Sequence, residues 1–366
     1  MIAARIDPSA AALPVSRADL DGPPSMSVMS SVSRAEQLDR AGRHAEAVDC
    51  LVAGVHRDEV ESTTQLGKRL LAGDRAPLLP REGFGLLRDA ATAGGAEAPS
   101  LLAVCQLVGL LGPCDANAAR DALLLSARRG WSPAQQQLRV LAEDDTGSTD
   151  WTALAARIDL DHWRRPPAAL TLHDDPLICS LPSFASPRVC RWLMQRARGH
   201  LSPALVYHAG RRATMPHPAR TNSAAVLGLL ETDVVGALVQ MRIAASVGQP
   251  FRHLEAATVL HYAPGEQVRE HYDFVDPNVP DYEAQLRERG QRTVTFLLYL
   301  NDDYEDGRTE FPRLGLSHKG RCGEGFFFVN AFADGRPDER TLHAGRPPSG
   351  TPKWIVSQFI KNRPAF

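Results

Sequence analysis

One spacing recurs through the first half of the chain and limits what it can fold into. Leu66, Leu102 and Leu138 share it, as do Gly73 and Gly109, Leu87 and Leu123, Ala91 and Ala127, Gly94 and Gly130, and Ala98 and Ala134. The period is about 36 residues, the length of a two-helix solenoid unit. Each helix pair of such a unit has an apolar face that it cannot bury alone. Small residues let neighbouring helices approach closely, and stacking completes the core. The stretch AEQLDRAGRHAEAVDCLVAGV has the same small-residue pattern one unit earlier. We therefore read residues 31–145 as a helical repeat domain, preceded over 1–30 by a flexible leader rich in Ala, Ser, Pro and Asp. A plain helical bundle is the competing reading.

The pattern then changes. DDTGSTD, WRRPP and HDDP, spread over residues 144–176, have the composition of a linker with a short helix, read as 146–175 with the boundary near Asp161. SPRVCRWLMQRARGHL and ETDVVGALVQMRIAASVG read as amphipathic helices, with Ser186 and Thr232 as candidate N-caps. From Leu254 onward short strands alternate with turns: LEAATVLHYAPG, VREHYDFV, RTVTFLLYLND, TEFPRLG, EGFFFVNAF, TLHAG and KWIVSQFIK. That pattern predicts a β-barrel or jelly roll with helices packed outside it. The expected fold class is thus an N-terminal α-helical repeat domain followed, over 176–366, by a double-stranded β-helix (jelly-roll) barrel with flanking helices. The segments RDAATAGGAEAPSLLAV and LLSARRGWSPAQQQLRVL resemble Sel1-type repeats, relatives of the tetratricopeptide repeat.

Bulk properties narrow the function classes. A formal net charge of −2 gives no field that would make nucleic acid or an anionic membrane the main partner. The six cysteines are scattered, without a CxxC pair, so neither a disulfide framework nor a cysteine-built zinc site is expected. The N-terminus has no unbroken apolar run of the signal-peptide kind, and no stretch reaches the apolar length of a membrane span. A cytoplasmic protein is the default expectation. Lysine is scarce, only Lys68, Lys319, Lys353 and Lys361, which makes a well-placed one informative.

The chemistry is expected at His271-Tyr272-Asp273. Residues i and i+2 of a strand point to one face, so an imidazole and a carboxylate at that spacing can bind one metal ion side by side. A second histidine would complete a two-His, one-carboxylate facial set with positions left open for substrates. His343, in TLHAG on a later predicted strand, is the candidate. The HxD pattern also occurs at His56/Asp58, inside a predicted helix where i and i+2 do not share a face, and at His173/Asp175 in the linker. The third instance stands apart through its surroundings. Tyr262-Ala-Pro-Gly-Glu-Gln precedes it, and Arg292-Thr-Val-Thr-Phe-Leu-Leu-Tyr-Leu-Asn301 follows. Next come Gly307-Arg-Thr-Glu-Phe-Pro312, Gly325-Phe-Phe-Phe-Val-Asn330, His343-Ala-Gly and Gly350-Thr-Pro-Lys353-Trp354.

This ordered set, over about 176–362, resembles the catalytic domain of prolyl 4-hydroxylases within the 2-oxoglutarate oxygenase superfamily; Arg220-Thr-Asn-Ser223 resembles the family's N-terminal portion. The resemblance implies that His271, Asp273 and His343 ligate Fe(II), and that Lys353 pairs with the distal carboxylate of 2-oxoglutarate. It places Tyr262 and Tyr299 at the cosubstrate and substrate pocket, Tyr299 being the preferred donor to that carboxylate, and counts Thr341 and Trp354 among the cofactor-binding residues as a supporting shell. It further implies O2 as co-reactant, ascorbate as reductant, and a prolyl residue in a protein or peptide as substrate, with free amino acids and other small molecules left open. The role of Lys353 also follows from physical chemistry. A dicarboxylate chelating metal at one end leaves a charge at the other in a mostly apolar barrel, and a buried charge needs a counter-charge. Lys353 lies on the strand expected after that of His343, and such strands are expected to be hydrogen-bonding neighbours, facing one lumen. On the strand of Tyr262, His261 should point the other way and be structural.

Departures from the family pattern fall at Asp306-Gly307, where two glycines are usual, at Arg308, which replaces an acidic residue, and at Gly315–Gly320, which lacks a proline. They bear on substrate identity. Asp276–Arg289 is expected to be a polar, substrate-covering loop. The repeats could recruit a protein partner, or equally serve as a dimerisation or stabilising appendage. Two other functions compete: a non-catalytic interaction protein with a degenerate barrel, and a zinc hydrolase using the same three ligands. The hydrolase would need a general base and no cation for a dicarboxylate.

Overall fold

The computed structural model describes residues 29–365 apart from 209–212, 216–217, 280–281 and 333. The expected leader lies, up to residue 28, outside the described residues. The first half consists of antiparallel helices: α1 (Ser31–Arg40), α2 (His44–Val55), α3 (Val60–Ala72), α4 (Pro80–Thr92), α5 (Ala98–Val108), α6 (Ala116–Arg128) and α7 (Ser132–Leu141). The 36-residue spacing maps onto α3/α4, α5/α6 and α7. Leu66, Leu102 and Leu138 lie buried on successive first helices, and Leu87 and Leu123 on successive second helices. Gly73 and Gly109 end α3 and α5 in left-handed conformation, both at φ 68°, which a side chain would oppose. Between α3 and α4 the helices touch through Gly83, where an added Cβ would stand 2.5 Å from the Leu71 nitrogen.

Two short helices, α8 (Trp151–Arg157) and α9 (Leu160–Arg164), occupy the stretch read as linker; α10 (Pro187–Arg198), α11 (Val234–Ser246) and α12 (Glu283–Arg289) complete the helices. Ser186 caps α10 as expected. The cap of α11 is Asp233, not Thr232: its carboxylate accepts from the Gly236 N–H. The neighbouring carboxylate wins because it is the one positioned to meet the open N–H groups of the first turn. α12 also corrects the expectation of a loop over Asp276–Arg289, since its EAQLRER segment consists of good helix formers.

The strands are β1 (Leu170–Asp174), β2 (Leu177–Leu181), β3 (Ser202–Pro203), β4 (Val206–His208), β5 (Ala213–Met215), β6 (Ser223–Leu227), β7 (Ala257–Tyr262) and β8 (Val268–His271). They continue with β9 (Arg292–Tyr299), β10 (Glu305–Asp306), β11 (Thr309–Phe311), β12 (Leu316–His318), β13 (Gly325–Val329), β14 (His343–Gly345), β15 (Pro348–Ser349) and β16 (Lys353–Lys361). An eight-stranded sheet runs β1-β2-β13-β9-β16-β7-β6-β3, and a four-stranded sheet β12-β11-β14-β8. Every ladder is antiparallel. This is the expected jelly roll, with a larger and a smaller sheet. Its first strand, β1, falls inside the expected linker.

Strand alternation divides the side chains between two cores. The inner faces hold Leu260, Tyr262, Leu297, Tyr299, Phe311, Phe326, Phe328 and Ile355 in one cluster. The outer face of the larger sheet sends Val259, Phe296, Leu298, Trp354 and Val356 into a second cluster. That cluster also contains residues of α10, α11 and the last repeat helices, among them Leu123 and Leu138, with Leu154 of α8. Repeats and barrel thus share one continuous core. Gln137 of α7 reinforces the junction: its Oε1 accepts from the Val234 N–H, 2.9 Å away, at the start of α11. Among the described residues no helix is long and apolar enough to cross a membrane.

Candidate active site

The smaller sheet brings the three expected ligands together. β14 pairs with β8 so that His343 and His271 face each other across the ladder. Asp273 lies just past the end of β8, in a bend, so the common-face spacing expected within a strand is achieved instead by the chain turning inward. The donor atoms of His271, Asp273 and His343 all lie within 4.8 Å of one another. Among the described residues this is the one grouping of three or more His, Cys, Asp or Glu side chains that could hold a metal ion. His271 Nε2 is 3.4 Å from Asp273 Oδ1, and His343 Nε2 is 3.3 Å from Asp273 Oδ2.

Backbone carbonyls orient both rings. His271 Nδ1 meets the Arg269 carbonyl at 2.8 Å, and His343 Nδ1 meets that of Thr341 at 3.0 Å. A carbonyl can only accept, so each Nδ1 carries the hydrogen and each Nε2 is turned toward the carboxylate. In the neutral rings those two lone pairs converge with a carboxylate, and this donor set fits a divalent cation. Burial alone would raise the Asp273 pKa, but the His343 and His271 imidazoles hold it well below the carboxylate range. Burial opposes charge on His343, yet the Asp273 carboxylate beside it raises its pKa.

Lys353 is 1% exposed. Its strand, β16, is not a neighbour of β14, as the sequence suggested. β16 lies in the larger sheet between β7 and β9, whereas β14 belongs to the smaller one. The excursion through β15 carries the chain from one sheet to the other, so Lys353 and His343 approach the lumen from opposite walls. Ring contacts span the gap: the Lys353 ammonium lies 5.6 Å from the Tyr299 ring centre, Tyr299 meets Phe326, Phe326 meets Phe311, and Phe311 stacks on His343. The ammonium donates to the Gly307 carbonyl, 2.6 Å away, and among the described residues it meets no carboxylate. Burial pushes its pKa down from 10.5 to about 7. A buried ammonium lacking a counter-charge is costly, and the distal carboxylate of a keto-diacid supplies one.

Tyr262 pairs opposite Lys353 across the β7–β16 ladder, and the ammonium lies 5.3 Å from its ring centre. Burial raises its phenol pKa to about 12. The Tyr299 hydroxyl shares a hydrogen bond with Thr309 Oγ1 at 3.0 Å, so it reaches the lumen already partnered. Thr341 acts from behind: its carbonyl holds His343, and its hydroxyl donates to the Asp338 carbonyl. Trp354 corrects the expectation of a cofactor contact. Alternation turns it to the outer face, opposite Lys353, where it meets His261, the ring expected to be structural.

Two residues escaped the sequence reading. Thr295, on the inner face of β9, donates to Asp273 Oδ2 at 2.8 Å, and Asn330 donates to Thr295 Oγ1 at 2.8 Å. The signal available was a threonine at an inward position beside the apolar run Phe296-Leu297-Leu298 of its strand.

A jelly roll whose lumen carries a two-histidine, one-carboxylate set at one wall and a buried cation at the other has the architecture of a 2-oxoglutarate oxygenase. Residues 257–361 match the 2OG-Fe(II) oxygenase superfamily. The probable prolyl 4-hydroxylase 9 of Arabidopsis thaliana is 31% identical over 206 residues, covering 51% of this chain and 69% of that protein. Among solved structures, the viral collagen prolyl hydroxylase of Paramecium Bursaria Chlorella virus-1 is similar at 24% identity and a TM-score of 0.39, covering 50% of this chain and 95% of that one. A Sel1 repeat protein from Oxalobacter formigenes is similar at 16% identity and a TM-score of 0.29, covering 37% of this chain and 61% of that one. The chain belongs to the prolyl 4-hydroxylase family of Fe(II)- and 2-oxoglutarate-dependent dioxygenases, with helical repeats in front of the oxygenase barrel. The family's cofactors are Fe(II), 2-oxoglutarate and O2, with ascorbate as the usual reductant. The degenerate-barrel and zinc-hydrolase alternatives are not favoured.

Proposed function

We propose that the protein hydroxylates a prolyl residue in a protein or peptide, with Fe(II) held by His271, Asp273 and His343 and the distal carboxylate of 2-oxoglutarate held by Lys353. The observation carrying this reading is the pairing of a converged, carbonyl-oriented triad with a buried ammonium that has no counter-charge in the same lumen. The bound iron supplies oxidative decarboxylation of 2-oxoglutarate coupled to oxidation of an unactivated C–H bond. The chain's own residues do the rest. Arg269 and Thr341 carbonyls fix the two imidazoles, Tyr262 lines the cosubstrate tail beside Lys353, and the contacting rings of Tyr299, Phe326 and Phe311 give the lumen between the two ends an apolar wall.

A peptide substrate is supported by the family and by the partly exposed His271 on β8, the edge strand of the smaller sheet, which leaves the triad reachable. We further read the repeats as a surface for a protein partner, and the location as cytoplasmic, in keeping with six free cysteines. The test is to incubate the protein with Fe(II), 2-oxoglutarate, ascorbate and proline-containing peptides in air. The reading expects succinate in step with peptide that has gained one oxygen atom on proline. Succinate without modified peptide would shift the substrate to another class, and neither product would remove the reading.

A further inference from the structure

Asp273 offers two oxygens to a metal, and the structure treats them differently. Oδ2 accepts from Thr295 Oγ1 at 2.8 Å and also lies 3.3 Å from His343 Nε2, whereas Oδ1 meets His271 Nε2 alone, 3.4 Å away, among the described residues. A carboxylate in this state can only accept, so the threonine hydrogen must lie on the Asp273 side. The Thr295 oxygen is then left to accept, and it does so from the side-chain N–H of Asn330, 2.8 Å away. The opposite orientation of the Asn330 amide would set two acceptors against one hydroxyl hydrogen, so the order Asn330 to Thr295 to Asp273 is fixed by donor count. Thr295 and Asn330 are both wholly buried, and no water is needed to complete the relay. At its far end, Asn330 Oδ1 has no hydrogen-bond partner among the described residues. An unsatisfied buried acceptor is retained at a cost, which argues that the amide is held for its donor end. The backbone anchors that end: the Asn330 N–H donates to the Thr293 carbonyl and its carbonyl accepts from the Asp338 N–H. Asp338 in turn begins the 3₁₀ turn whose last residue, Thr341, orients His343.

We propose that Asn330 and Thr295 are positioning residues that occupy Asp273 Oδ2 and thereby confine metal ligation to Oδ1, keeping the carboxylate from taking a second coordination position. The inference rests on the metal-ligand reading above. Both side chains act through Asp273 and touch neither metal nor substrate. Loss of a hydrogen bond behind a metal ligand typically weakens metal binding by about 10- to 100-fold.

The test is anaerobic titration of the intact protein with Mn(II), read by the loss of its free-ion paramagnetic signal, followed by Fe(II) with 2-oxoglutarate, read by the visible charge-transfer band. Thr295→Val keeps shape and removes the hydroxyl; it is expected to weaken Mn(II) binding by about 10-fold or more and to lower the band at fixed 2-oxoglutarate. Thr295→Ser restores the hydroxyl and should bind as the unaltered protein does, a rescue that a packing role would not give. Asn330→Ala should fall between the two. Equal Mn(II) affinity and equal bands in all variants would overturn the inference while leaving the metal site standing. Failure of the unaltered protein to bind Mn(II) would instead overturn the ligand reading. Should Thr295→Val not fold, Thr295→Ser binding as weakly as Asn330→Ala would equally contradict the relay.

Discussion

Replacing Lys353 with methionine should stabilise the protein while destroying its capacity for cosubstrate. Burial lowers the ammonium pKa from 10.5 in water to about 7, and each unit corresponds to about 1.4 kcal/mol. The folded pKa lies below the unfolded one, so the unfolded chain binds the proton more tightly. The penalty is therefore full below pH 7 and fades as pH rises toward 10.5. It amounts to about 4 kcal/mol at pH 7 and about 2 kcal/mol at pH 9. Methionine removes it but strands the Gly307 carbonyl, which now accepts from the ammonium, at a cost of about 1–3 kcal/mol. The net expectation at pH 7 is a gain of about 1–3 kcal/mol, a rise of a few degrees in Tm. At pH 9 that gain shrinks by about 2 kcal/mol. Calorimetric unfolding of both proteins at the two pH values, without metal or cosubstrate, measures this directly. In parallel, 2-oxoglutarate affinity should fall by at least about 30-fold, since the carboxylate loses its buried partner. A variant less stable than the parent at pH 7, or a gain unchanged at pH 9, would refute the picture of an uncompensated buried charge.

The same group sets a pH dependence: above pH 7 the free protein loses the proton that 2-oxoglutarate needs, so its KM should climb up to about tenfold per pH unit, and a flat profile between pH 7 and 8.5 would contradict the assignment. Asp273→Asn removes the charge held between the two imidazoles, and elemental analysis after anaerobic loading should find iron well below one per chain. In the repeats, Leu123→Ala empties a fully buried site and should cost about 2–5 kcal/mol by denaturant unfolding. Asp233→Ala deletes the cap of α11 for about 1 kcal/mol; an unaltered midpoint would show that Gln137, which accepts from the adjacent Val234 N–H, holds that end by itself.

What the sequence made legible was local, or recurred. Gly73 and Gly109 mark helix ends because only a residue without Cβ adopts φ 68° readily, so the repeat was written in the chain. His271, Asp273 and His343 were legible because ordered motifs surrounded them. Trp354 was misplaced although the rule that set His261 apart from Tyr262 applies equally to it and Lys353: adjacent strand residues face opposite ways. The sheet to which Lys353 belongs was not legible, because β14 and β16 are neighbours in sequence yet belong to different walls, and that choice is made by ladders to β8, β7 and β9 far earlier in the chain. Thr295 and Asn330 meet only in three dimensions, 35 residues apart. Thr232 and Asp233 are adjacent cap formers, and local sequence does not separate them.

The chemistry requires one ferrous ion and one keto-diacid to meet in the barrel. Oxygen-free addition of Fe(II) to the protein with 2-oxoglutarate should raise a weak visible absorption band that saturates at one iron per chain and vanishes in His343→Ala. Saturable metal binding with no band at any 2-oxoglutarate concentration, or a band unaffected by His343→Ala, would contradict it.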